Sequence, residues 1–283
     1  MKGAGRLPAV VETHVDPVRD APALRLAPAT PSRRPLLVVA DLHLGLEASA
    51  SRPRGPPEAS ADGMAEALVG LAHREGARGV WVAGDVKHPI AGTPPFLRSV
   101  LFDFFATLLR ERLTVDVVLG NHDPGLPRHL PREVRVHPSA GAVVAGVGIA
   151  HGHRWPSARV LARERLVIGH LHPGYRFAPT AEHPDGKHRC WLRIERPPLP
   201  PRRRGDRAPR VAAREIVVLP PFNPIAGVES LNRERPSRGR SFLFRRLVAG
   251  GIARAYLLDG TDLGVLPTPL PASGSAPRAP TAR

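Results

Sequence analysis

Five short stretches of this chain end in residues that bind metal ions: Asp41-Leu42-His43, Gly84-Asp85, Gly120-Asn121-His122-Asp123, His151-Gly152-His153 and Gly169-His170-Leu171-His172. Carboxylates, imidazoles and one amide oxygen form a mixed donor set. It suits borderline divalent ions such as Mn²⁺, Fe²⁺, Zn²⁺ or Co²⁺ better than Ca²⁺ or Mg²⁺. Any one stretch has an ordinary explanation; Asp41-Leu42-His43 alone is more often a turn or helix cap than a ligand pair. Five in succession, each directly after an apolar run, have no such explanation in a plain core or a solvated loop.

The runs that precede them are residues 36–40, 80–83, 115–119, 147–150 and 166–168, short and aliphatic or β-branched, as strands are. Between the first two, Met64, Leu68 and Leu71 fall at helical spacing, and between the next two Leu97, Leu101, Phe104 and Leu108 do the same. The alternation argues α/β. In such a sheet the carboxyl ends of neighbouring strands share one edge, so ligands distant in sequence converge there. Residues 143–147 read as a hairpin into the fourth strand, which makes the later half mixed or antiparallel. The expected fold is therefore two mixed sheets packed face to face in a sandwich flanked by helices. Further strands are expected at residues 190–194, 216–219, 242–244 and 255–258. Residues 23–266 form the expected domain. Residues 1–22 are expected to be loose, residues 197–210 a basic Pro/Arg-rich loop, and residues 267–283 a disordered tail.

The five motifs, D-x-H, G-D, G-N-H-D, H and G-H-x-H in this order, resemble those of the calcineurin-like metallophosphoesterase superfamily. The resemblance spans about residues 36–222. Ala40-Asp41-Leu42-His43-Leu44-Gly45, Gly84-Asp85-Val86-Lys87-His88, Cys190-Trp191-Leu192-Arg193 and residues 218–224 are similar to the SbcD-related, ICC-like subgroup, which has archaeal members and a bacterial branch associated with DNA ligases. The resemblance implies a four-layer fold and two divalent ions, Mn²⁺ foremost, with Fe, Zn or Co as options. It implies Asp41, His43 and His172 as ligands of one ion and Asn121, His151 and His170 as ligands of the other, with Asp85 bridging. A shared anion offsets the repulsion between two close dications. A bridging hydroxide would then attack phosphorus in line. His122 resembles the histidine that protonates or stabilises the leaving oxygen, with a structural histidine as the plainer alternative, and Asp123 would orient it. His153 either contacts phosphate or faces solvent. Many relatives carry an acid three positions after the second-motif Asp, where this chain has His88; that residue supports Asp85, contacts substrate phosphate, or is a plain loop histidine. His73, His137, His183 and His188 lie outside the motifs and read as surface residues.

Composition narrows the rest. A single cysteine, Cys190, excludes a disulfide framework and a cysteine-based zinc cluster, and it reads as an ordinary half-buried residue in a reducing, cytoplasmic setting. No window is apolar enough to cross a membrane. The formal charge of +16 comes from 41 Lys and Arg against 25 Asp and Glu; it either attracts nucleic acid or reflects a bias toward Arg, Ala and Pro. The function that follows is two-metal hydrolysis of a phosphoester, the substrate being either a phosphodiester, nucleic acid included, or a small phosphate ester. Aromatics make up only 5% of the chain and do not interleave with the basic run, which counts against a nuclease. The alternative from another class is a non-catalytic nucleic-acid-binding or scaffold protein that keeps the fold. Its mark would be a lost ligand, and none of the seven is lost.

Overall fold

The computed structural model describes residues 13–30, 32–48, 56–179, 181, 185–195, 211–232 and 251–266. The first sheet runs in chain order: β1 (Thr13–Pro17), β2 (Leu24–Pro28), β3 (Leu36–Val39), β4 (Gly79–Val82), β5 (Thr114–Val118) and β6 (Arg135–His137). The first three strands are antiparallel, and β3 to β6 are parallel. Helices α1 (Ala61–Arg74) and α2 (Pro95–Arg110) are the crossovers between the parallel strands. The Ser60 hydroxyl caps α1 by accepting from the Gly63 N–H at 3.0 Å. Pro95 opens α2 at the first turn, where its missing N–H costs nothing. Each helix buries its apolar stripe on one face of the sheet, against Leu37, Val39, Val80, Val82, Val115 and Val117.

The second sheet contains β7 (Ala142–Val144), β8 (Val147–Ala150), β9 (Arg165–Ile168), β10 (Pro173–Arg176), β11 (Lys187–Glu195), β12 (Glu215–Val218), β13 (Glu229–Ser230), β14 (Ile252–Leu257) and β15 (Asp262–Val265). Its order is β13-β10-β11-β12-β9-β8-β7, with β14 beside β11 and β15 beside β14. Strands β8, β9 and β12 are mutually parallel where they meet, and most of the remainder is antiparallel. The two sheets pack face to face. Leu36, Val38, Ala40, Trp81 and Val118 of the first meet Val147, Ile149, Val167, Trp191 and Val217 of the second. Strands such as β3 are buried on both faces, which is why they read as unbroken apolar runs rather than alternating ones. A third apolar cluster covers the outer face of the second sheet, with the single-turn α3 (Ala158–Leu161), Val211 and Ala213 over Leu166, Ile168, Leu192 and Ile216.

The expected sandwich stands, and so does the hairpin, whose turn places Ala145 at φ 48° and Gly146 at φ 80°, as a tight two-residue connection requires. Three expectations change. Residues 13–17, expected to be loose, form the edge strand β1, paired with β2 over five residues. Cys190 is fully buried rather than half-buried, and burial pushes its thiol up to about 12, so it offers no thiolate. His137 is not a free surface residue: it stacks on Trp81 at 4.7 Å, and its Nε2 lies 2.8 Å from the buried Asp116 carboxylate, which also takes a two-pronged bond from Arg135. The expected strand at 242–244, the loop at 197–210, the tail at 267–283 and His183 lie outside the described residues.

Candidate metal centre

Parallel β3, β4 and β5 deliver Asp41, Asp85 and Asn121 to one edge of the first sheet. Parallel β8 and β9 deliver His151, His170 and His172 to the matching edge of the second. The site is thus shared between two facing sheet edges rather than lying along one. The loops after β3 and β4 zip together through backbone bonds: the Asp41 N–H donates to Gly84 O at 3.0 Å, His43 to Asp85 at 2.9 Å, Leu44 to Val86 at 2.8 Å, and His88 back to Leu44 at 3.0 Å.

This arrangement is held at a local cost. Asp41 (φ 59°), His43 (φ 44°), Asp85 (φ 53°), His170 (φ 70°) and His172 (φ 49°) all adopt the left-handed conformation. Non-glycine residues accept it at about 1–3 kcal/mol each only where the surroundings over-determine them. Two glycines make the close approach feasible. A Cβ on Gly84 would lie 2.5 Å from the His151 ring, and one on Gly120 would lie 2.1 Å from Asp85 Oδ1.

Lone pairs converge at the centre. The His151 Nδ1–H donates to Ala83 O at 2.9 Å, which turns Nε2 inward, 3.2 Å from Asp85 Oδ2 and 3.2 Å from Asn121 Oδ1. The His172 Nδ1–H donates to Gly227 O at 2.9 Å, so its Nε2 faces His43 Nε2 at 3.3 Å and Asp41 Oδ1 at 3.4 Å. Asp85 Oδ2 also lies 3.9 Å from His43 Nε2, between the two groups. Donor atoms of Asp41, His43 and His172 lie within 4.8 Å of one another, as do those of Asp85, His151 and His170. Acceptors facing acceptors at such distances in a buried site require a cation or proton among them. The donor chemistry of each group therefore fits a divalent ion. Backbone carbonyls fix the tautomers of His151 and His172, as second partners of metal-binding imidazoles do.

Charge follows the same geometry. Burial works against ionisation of both carboxylates. The histidines nonetheless hold them below the ordinary range, His151 chiefly for Asp85 and His172 for Asp41. Burial also opposes charge on His151, but the bond to Asp85 raises its value to about 9, and Asp41 raises His172 in the same way. Burial keeps His43 and His170 near 4, hence neutral and available as ligands.

The remaining candidates fall into place around this centre. The His122 N–H donates to Asp85 Oδ1 at 2.8 Å and its ring Nδ1 to the carbonyl of His88, leaving Nε2 turned to the cleft, 3.9 Å from Asp85 Oδ2. Asp123 does not orient that ring. Its carboxylate accepts from the backbone N–H groups of Val86 (2.9 Å), Lys87 (3.2 Å) and Gly120 (2.8 Å), and so locks the second and third motif loops together. The His88 ring lies over His122 at 5.8 Å and edge-on to His43 at 5.6 Å. His153 sits 5.2 Å from His151 and 6.1 Å from His170, half-buried, with its Nδ1 unbonded. His43, Asp85, His88, Asn121, His122, His170 and His172 line an open cleft of about 270 Å³, with Leu46 and Ala226-Gly227 as the apolar and backbone walls.

Two positioning residues escaped the sequence reading. Lys87 is completely buried, and its ammonium donates to the carbonyls of Pro89 and Ile90, bracing the loop that carries His88. Asn223 is equally buried; its amide donates to Leu42 O at 2.9 Å and ties the segment after β12 to the Asp41-Leu42-His43 turn. Both stood inside stretches already singled out, Asn223 in residues 218–224 and Lys87 in Gly84-Asp85-Val86-Lys87-His88, but neither residue type marked its burial.

No protein-family model and no curated protein sequence matches the chain. Among solved structures, the crystal structure of the Pseudomonas putida nuclease MPE superposes with a TM-score of 0.52 at 16% identity, covering 88% of this chain and 100% of that one. Another is YfcE, a phosphoesterase from E. coli, with a TM-score of 0.35 at 15% identity over 81% of this chain and 97% of that one. At such identities it is the fold that is shared, an α/β sandwich of two mixed sheets.

Proposed function

We propose that this chain is a phosphoesterase dependent on two divalent ions, of the SbcD-related kind, acting on phosphodiesters within the cytoplasm. The observation that carries the reading is the convergence of lone pairs from two sheet edges, with Asp85 Oδ2 facing both groups. Asp41, His43 and His172 would hold one ion, Asn121, His151 and His170 the other, and Asp85 both; Mn²⁺ suits the mixed donors. When bound, such ions supply Lewis acidity to a phosphoryl oxygen and lower the pKa of water. A nuclease is among the structural neighbours, which favours a diester over a small monoester.

The protein's own residues supply orientation and proton handling. The His88 carbonyl fixes the His122 proton on Nδ1, so Nε2 carries a proton only as imidazolium. Imidazolium at this position donates to a departing oxygen. Asp123 keeps His122 and Asp85 in mutual register through backbone contacts. His88 and His153, on opposite flanks of the centre, are available to non-bridging phosphate oxygens.

The test is hydrolysis of bis-p-nitrophenyl phosphate and p-nitrophenyl phosphate by metal-stripped protein re-supplied with Mn²⁺, with Asp85→Ala alongside. Expected are Mn²⁺-dependent turnover that prefers the diester, and an Asp85→Ala variant that is inactive and holds fewer than two ions per chain by elemental analysis. Two bound ions without turnover on either ester would overturn the catalytic reading in favour of a binding protein.

A further inference from the structure

Arg98 and Phe102 stand one turn apart on α2, both open to solvent, with Phe102 52% exposed. The 3-10 turn Leu126–His129, which directly follows the Asn121-His122-Asp123 loop, packs against the same helix and carries Arg128 and His129. Arg128 is exposed, and Arg98 donates to the Thr93 carbonyl at 3.1 Å. Neither guanidinium meets a carboxylate among the described residues. Burial first, and then the cations of Arg98, Arg128 and Lys87, keep the His129 imidazole below its ordinary value, and no acid offsets them. The Leu126 N–H donates to the Asp123 carbonyl at 3.1 Å, so this flank adjoins the loop that carries Asn121 and His122.

Like charges gathered without a counter-charge on a folded surface are a standing repulsion that an external anion relieves. Here the anion has a second attribute. An exposed phenyl ring one helical turn from a guanidinium offers a base both a stacking face and a phosphate contact, the combination used for single strands. An acidic peptide would use the cations and leave the ring in water.

We propose that the flank formed by Arg98, Phe102, Arg128 and His129 binds single-stranded nucleic acid and leads it toward the metal cleft. This deepens the phosphodiester reading by naming the polymer and its path. The pairing of exposed aromatic with cation is set up by helical spacing within α2 and by the packing of the Leu126–His129 turn against that helix, not by neighbours in the basic run.

The experiment is fluorescence anisotropy of a labelled oligothymidylate with the full chain in EDTA, repeated over a range of salt. The double variant Arg98→Ala/Arg128→Ala is expected to reduce the slope of log affinity against log salt by about 1.4, about 0.7 for each phosphate that is no longer neutralised. Phe102→Ala is expected to weaken binding about tenfold or more with the slope unchanged. All three side chains lie outside the cleft, so hydrolysis of bis-p-nitrophenyl phosphate stays at the wild-type rate and shows that the variants are folded. Unchanged oligothymidylate binding in both variants overturns the inference while leaving the phosphoesterase standing. So does an Arg98/Arg128 effect without a Phe102 effect, together with equal competition by polyglutamate, since that marks a generic anion surface. If the wild type binds and the variants do not, yet no ester is hydrolysed, the inference stands and the phosphoesterase reading falls.

Discussion

His122 is held through two backbone groups, its own N–H on Asp85 and the His88 carbonyl on its ring, with the His43 and His88 rings packed against it. The contact to Asp85 is made by the backbone N–H and survives loss of the side chain, so deleting the ring removes proton handling and leaves the donor set intact. His122→Ala should retain both ions by elemental analysis and lose about 10²-fold or more on esters with poor leaving groups. On p-nitrophenyl esters, whose leaving oxygen needs little protonation, the loss should be far smaller. Equal losses on both would reassign His122 to phosphate binding. The residue types were readable in advance because Asp, Asn and His at the ends of apolar runs have few other uses. The actual partner of Asp123 was not, since a carboxylate that accepts three backbone N–H groups leaves no mark in the order of residues. Lys87 was hidden for the same reason: its burial rests on two carbonyls one turn ahead in its own loop.

The loops after β3, β4 and β5 act as one interlocked element, because their backbones bond to each other and glycines permit the contact. A Cβ at Gly120 would sit 2.1 Å from Asp85 Oδ1 and 2.3 Å from the Asp85 N–H. Backbone cannot yield by that much without displacing the carboxylate that both ions would share. Gly120→Ala should therefore bind Mn²⁺ at least tenfold more weakly by isothermal titration while keeping its far-ultraviolet circular dichroism. Wild-type affinity would show the loop to be softer than its packing suggests. At this scale the sequence was informative about parallel, doubly buried strands and poor about edges. Strand β1, Thr-His-Val-Asp-Pro, combines charge and proline in the manner of a protected sheet edge, which reads as loop. The two-residue β13 and the three-residue β6 are too short to show a period.

For the whole molecule the titration of the centre sets the response to pH. His43, His153 and His170 have folded-state values near 4 against about 6.5 unfolded. The unfolded chain binds more protons in that interval, so metal-free protein loses stability as pH falls from about 6.5 to about 4. His151, raised to about 9, acts in the opposite sense: its contribution is complete below about 6.5 and is lost as pH rises toward 9. The melting temperature of metal-free protein should thus peak near neutrality, and the increment from added Mn²⁺ should shrink on acidification as protons compete for the same imidazoles. A melting temperature that rises steadily from pH 7 down to 4 would contradict the assignment of these three histidines as neutral. The sandwich itself was legible from strand and helix periodicity. That the centre straddles both layers was not, because sequence order alone does not say which strands share a sheet.

Because Asp41, His43, Asp85 and Asn121 ride on one layer and His151, His170 and His172 on the other, the spacing between them is set by the apolar filling in the middle, where Trp191, Val217 and Leu219 meet Val38 and Ala40. Thinning that filling lets the layers settle, and the displacement is read out at the rim as a change in the gap an ion must span. Val217→Ala, a residue that touches no ligand, should consequently weaken Mn²⁺ binding as well as lower the melting temperature. The greasy seam between the layers then serves as the calliper that gauges the metal.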